Sequence, residues 1–151
     1  MTDIDFMKKA IELAELSAQE DEVPVGAIIV KGSEIISTGR NRRETEKNAL
    51  AHAELEAINK ACLKLGGWRL WECEMYVTLE PCPMCTGAII NSRLKRVVFG
   101  AYDKKAGSCG SVINLFDLPY NHKPELLGGV LEEECSQQLS EFFKNLRKRK
   151  K

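Results

Sequence analysis

The sequence predicts an α/β protein in which helices cover both faces of a partly parallel sheet. Three observations carry this. Helical and strand-like segments alternate along the chain, two β-branched runs near the start are joined by a tight turn, and a later strand–helix–strand order demands a crossover. The length of 151 residues suits one domain able to bury a core. A hydrophobic share of 44% beside 29% charged residues excludes a disordered chain. No apolar run is long enough to span a bilayer. The opening Met1-Thr-Asp-Ile-Asp-Phe6 has acids where a secretory leader has bases, so a cytoplasmic protein is expected.

Residues 3–19 place Ile4, Met7, Ile11, Ala14 and Ala18 at steps of three and four behind an acidic first turn, which predicts a helix. Val23–Val30 and Glu34–Thr38, separated by Lys31-Gly-Ser33, predict a hairpin. A second helix should run from Asn48, a capping residue, to Leu65, where Gly66-Gly67 stops it. Met75–Leu79 reads as the third strand, Pro83–Asn91 as a short helix opened by proline, and Arg96–Ala101 as the fourth strand. Residues 103–124 are irregular, with turn signals at Gly107, Gly110, Pro119 and Asn121. Leu126–Val130 is the expected fifth strand. The last helix, Glu132–Arg147, should turn Leu139, Phe142, Phe143 and Leu146 inward. No repeat or linker divides residues 1–151, which are expected to form a single domain.

Charge balances overall, with 22 basic and 22 acidic side chains, but not along the chain. The last eight residues hold six bases (Lys144, Arg147, Lys148, Arg149, Lys150, Lys151) and no acid, which leaves residues 1–143 with 16 bases, 22 acids and a net charge of −6. Such a tail can reach for phosphate, although by itself a charge run more often marks the solvated end of a helix whose dipole favours cations. Arg40, Arg42 and Arg43 form a second, local basic patch.

The chemistry resides in His52-Ala-Glu54 and Pro81-Cys-Pro-Met-Cys85. Six cysteines without an export signal point to metal ligands or catalytic thiols rather than disulfides. Cys82 and Cys85, three apart at a helix start, place their sulfurs on one face, where the dipole favours thiolate. With the His52 imidazole they make a three-ligand zinc site whose fourth position is open, and such a site acidifies water to a pKa of roughly 7. Glu54 lies too far around the helix to ligate the same ion. It is placed instead to accept a proton from that water and hand it to a ring nitrogen and a departing amine. The order His-x-Glu, then Pro-Cys-x-x-Cys, is the signature of zinc nucleobase deaminases. Sulfur ligands favour zinc over magnesium or manganese. Cys62, Cys73, Cys109 and Cys135 lack partners at ligand spacing and read as small hydrophobes.

Along nearly its whole length the chain resembles the bacterial tRNA-specific adenosine deaminases. The resemblance runs through Val23-Pro-Val-Gly-Ala27, Asn41-Arg42, His52-Ala-Glu54, Tyr76–Cys85, Ser92–Ala101, Asp103–Gly107, Asn121-His122, Gly129–Cys135 and Phe142-Phe143. The zinc motif belongs to the wider cytidine-deaminase-like superfamily, whereas the segments around Asn41, Arg93–Asp103 and Asn121 are more specific to the tRNA enzymes. The resemblance implies a three-layer α/β/α fold with a mixed five-stranded sheet, one zinc per subunit and a homodimer. It implies hydrolytic deamination of the wobble adenosine of a tRNA anticodon stem-loop, flipped into the zinc pocket. His52, Cys82 and Cys85 would be the metal ligands and Glu54 the catalytic residue. Asn41 would hydrogen-bond the base with Ala53 beside it, Asp103, Lys105 and Asn121 would contact neighbouring nucleotides, and the basic end of the last helix would meet the backbone. From residues alone, Asn41 also reads as a turn residue after Gly39.

Two other functions remain open at this level. A small-molecule deaminase of guanine, cytosine or a free nucleoside would use the same ligands without needing a basic tail. A non-catalytic zinc-stabilised module would need no Glu54.

Overall fold

The structure, a computed structural model, describes residues 1–149; Lys150 and Lys151 of the basic tail lie outside the described residues. Helix α1 (Asp3–Gln19) starts where Thr2 and Asp5 satisfy each other's backbone N–H groups. Its buried stripe is Phe6, Met7, Ala10, Ala14 and Ser17, rotated from the expected one, and Ile4 is 49% exposed. Small residues take that face because the backbone of α1, at Ala10 and Ala14, lies directly against the first strand, β1 (Gly26–Lys31).

β1 pairs antiparallel with β2 (Glu34–Arg40), the predicted hairpin, and on its other side antiparallel with β3 (Cys73–Leu79). A crossover through helix α4 (Pro83–Asn91) brings β4 (Arg96–Ala101) parallel to β3, and β5 (Glu125–Leu127) lies parallel to β4. The sheet is mixed and five-stranded, in the order β2-β1-β3-β4-β5. Side chains alternate between its faces. Ala27, Ile29, Met75, Val77 and Val97 pack with α3 (Ala53–Leu65) and α4, while Ile28, Val30, Tyr76 and Val98 pack with α1 and α5 (Glu132–Arg149). The result is the three-layer α/β/α arrangement.

Three local expectations are corrected. The helix expected from Asn48 begins at Ala53, because the Asn48 side chain accepts the Leu50 N–H at 2.9 Å and Lys47 is left-handed, with φ of 51°. One helical turn, α2 (Arg43–Glu46), precedes it unforeseen; its N–H groups at Glu44 and Thr45 bond to the distant Glu22 carboxylate at 3.0 and 2.6 Å. β5 stops at Leu127 rather than Val130, which reaches β4 by a lone N–H bond to Phe99 O of 3.2 Å.

Helix α3 is held at a fixed height by Gly39. A Cβ there would lie 2.1 Å from Ala53 O and 2.8 Å from Ala57 N, so the helix rests on bare backbone. The Ser37 hydroxyl adds a 2.7 Å bond to Ala57 O.

Asp3 ties α1 to the sheet. It accepts Arg96 N–H groups at 3.0 and 2.8 Å and the Tyr76 hydroxyl at 2.6 Å, and the Arg96 bonds hold its carboxyl below the usual range. Because the Asp3 side chain is 35% exposed, Asp3→Asn should cost roughly 1 kcal/mol near neutral pH, less than a fully buried charged hydrogen bond. A depressed folded pKa means that this contribution is present above the unfolded value of about 3.9 and is lost as pH falls below it. Urea unfolding of both proteins should show the gap at neutral pH and its closure in acid. Equal stability at neutral pH would refute the tie.

Candidate active site

The parallel strands β3 and β4 end on the same side of the sheet, where the chain passes into Glu80-Pro81-Cys82 and Tyr102-Asp103. β1 begins and β2 ends there too, because both run antiparallel to their neighbours. A crevice beyond the carboxyl ends of strands is the ordinary ligand position in open α/β sheets. Two helices aim their N-termini into it: α3 has His52 at its cap, and α4 has Cys82 at its cap with Cys85 in its first turn.

His52 Nδ1 lies 3.7 Å from Cys82 Sγ and 3.5 Å from Cys85 Sγ, and the three donor atoms all fall within 4.8 Å of one another. Tetrahedral bonds of about 2.3 Å to sulfur and about 2.0 Å to nitrogen separate such donors by about 3.5–3.8 Å. The arrangement therefore fits a zinc-sized cation, and one imidazole with two sulfurs is a donor set that zinc takes. The same trio pushes protons about. The hydrogen bond from Cys85 pulls the Cys82 thiol down to about 4, and that bond together with burial pushes Cys85 up. The Cys82 sulfur raises His52 in turn.

Glu54, one residue into α3 beyond Ala53, is 4% exposed, and burial pushes its carboxyl up to about 7. A carboxyl that exchanges its proton near neutrality is suited to acid–base work. It opens on a pocket of about 620 Å³, within the ordinary range of ligand sites.

The pocket gathers most, but not all, of the residues singled out from sequence. His52, Ala53, Glu54 and Cys82 line it, with Cys85 buried just behind. Asn41 lines the near wall, but its Nδ2 donates to Val23 O at 3.1 Å and its Oδ1 accepts the Arg43 N–H at 3.3 Å. The turn reading of Asn41 describes that geometry. Asp103 and Lys105 form the opposite wall, where Asp103 Oδ1 accepts the N–H groups of Lys105 and Ala106 at 3.0 and 3.2 Å. Asn121 is exposed and is not among the lining residues. Tyr102, Leu139, Phe143 and Glu80 are among the other lining residues. No residue spacing could announce them, since β4, α5 and the chain ahead of Cys82 meet only in three dimensions. Phe143, expected to face inward, is 39% exposed at the pocket while Phe142 is buried. Cys73, Cys109 and Cys135 are buried and Cys62 half-buried, all as free thiols.

A three-layer fold carrying a histidine–glutamate pair opposite a cysteine pair defines a deaminase, and residues 1–147 match the family model of MafB19-like deaminases. The chain belongs to the family of the tRNA-specific adenosine deaminases, being 51% identical to that of Bacillus subtilis (strain 168) over 147 residues, which cover 97% of this chain and 91% of the relative. Among solved structures it is similar, at 38% identity and a TM-score of 0.87 over 89% of this chain and 99% of the other, to one from work on A-to-I editing by tRNA:A34 deaminases at the wobble position of transfer RNA. A guanine deaminase of Bacillus subtilis is similar at 35% identity and a TM-score of 0.66, over 98% of this chain and 95% of the other.

Proposed function

We infer that the chain is a deaminase domain that converts adenosine to inosine at wobble position 34 of a tRNA anticodon, as the A34 reading of its structural relative supports. The observation that carries the chemistry is the buried Glu54 beside the donor trio of His52, Cys82 and Cys85. These three residues would hold a zinc ion, which when bound acidifies water and polarises it for attack. Glu54 accepts the proton of the attacking water as its oxygen bonds to C6 of the adenine. It passes that proton to the ring nitrogen, then takes the second from the new C6 hydroxyl and delivers it to the amine as the C6–N bond breaks, so that adenosine and water become inosine and ammonia.

In this reading Asn41 and Ala53 flank the flipped base, and Asp103 and Lys105 meet the neighbouring nucleotides. Asn121 contacts RNA beyond the pocket. The basic end of α5 meets the phosphate backbone, with Lys144, Arg147 and Lys148 exposed and Arg149 paired to Asp21 at 2.6 Å. The protein works as a homodimer in the cytoplasm; among the described residues no helix is long and apolar enough to cross a membrane.

The test is deamination of a short RNA hairpin bearing the anticodon loop, beside free adenosine, cytidine and guanine. Inosine should form in the hairpin alone, with a KM that rises steeply with salt as phosphate contacts release counterions. Ammonia from free guanine with the hairpin untouched would transfer the site to small-molecule deamination.

A further inference from the structure

Glu80 is a charged residue with no obvious business in a core. It sits between the end of β3 and the Cys82 helix, and it is 2% exposed. A carboxylate in that position is costly unless every lone pair is met. Its four bonds all come from one loop that follows β4. Oε1 accepts the Asp103 N–H at 3.0 Å and the Ser111 hydroxyl, and Oε2 accepts the N–H groups of Cys109 at 3.1 Å and Ser111 at 3.0 Å.

The loop is wound tightly on this acceptor. A Cβ at Gly107 would lie 2.3 Å from Glu80 Cδ, so no larger residue fits there. Backbone bonds finish the attachment: Glu80 N–H to Ala101 O at 2.8 Å, and Ser108 N–H to Pro81 O at 2.9 Å. One end of the coil is the Asp103–Ala106 wall of the pocket; the other end leads back through Pro81 to Cys82.

We propose that Glu80 is a positioning residue for the substrate: by fixing the 103–111 loop against the Cys82 helix, its carboxylate sets where the Asp103–Ala106 wall stands over Glu54 and the metal trio. The proposal rests on the RNA reading for the identity of that substrate. A displaced wall loses contacts that the bound substrate and the transition state share, so its cost falls on binding rather than on the chemical step.

Glu80→Gln in the full-length, metal-loaded protein keeps the volume and one acceptor oxygen but turns an NH2 group towards N–H donors. Bound metal per chain should be unchanged. KM for the anticodon hairpin should rise about tenfold or more, with kcat altered less than about threefold. Amide exchange should quicken across residues 103–111 while β3 and β4 keep their protection. Combined with Asp103→Ala, the two losses should fall well short of additive, because both act through one wall. Ser111→Ala removes one of the four bonds and should shift KM in the same direction by less, which decides the matter if Glu80→Gln does not fold. Unchanged loop exchange, an effect confined to kcat, loss of metal, or full additivity with Asp103→Ala would each overturn the assignment. Wild-type protein that leaves the hairpin untouched would defeat the RNA reading instead, and the exchange and metal measurements would still judge Glu80.

Discussion

Replacing Glu54 by alanine should lower kcat by roughly a thousandfold or more while metal content and fold persist. The loss follows from position rather than from packing. Glu54 is 4% exposed in the pocket, and burial brings its proton exchange near neutrality, as the transfers require. A buried carboxyl whose ionised form is penalised by desolvation contributes little to folding, and the alanine protein should unfold at or above the wild-type temperature. Glu54→Gln, which keeps the shape and loses the exchangeable proton, should be equally inactive. Single-turnover inosine formation, metal content and thermal unfolding measured on the same preparations check all of this. Full activity in either variant would remove Glu54 from the mechanism.

Cys82→Ala should instead empty the metal site, and with it abolish turnover. Three ligands leave a catalytic position open; two do not hold the ion against dilution or chelators. The two thiols also predict how the site loads. Cys85 holds its proton firmly because Cys82, pulled down to about 4, faces it as the acceptor of that hydrogen bond. Binding must expel that proton, so metal affinity should climb as pH rises. Competition with a chromophoric chelator at several pH values measures both effects. A fully loaded Cys82→Ala protein would overturn the ligand set.

Much of the frame was legible because its signals are local. α4 and β4 occupy Pro83–Asn91 and Arg96–Ala101, where the opening proline and the run Arg96-Val-Val-Phe-Gly-Ala101 had placed them. The meeting of His52 with Cys82 and Cys85 is written in two short motifs whose spacing leaves few alternatives. What escaped reading is held by side chains that reach across the chain. α2 exists because Glu22 bonds to backbone more than twenty residues on, and the 103–111 loop because Glu80 does the same. A carboxylate's distant partners leave no periodic trace. Asn48 misled for the opposite reason: its side chain accepts the N–H of nearby Leu50 and keeps the segment out of the helix it was expected to cap.

The bare contact between Gly39 and α3 couples two separate jobs of the active site. With Ala53 O only 2.1 Å from where a Cβ would stand, neither the strand residue nor the helix can drift separately, and His52 and Glu54 ride on that helix. Damage at that one contact should therefore reach the metal ligand and the proton carrier together, although neither residue touches the glycine.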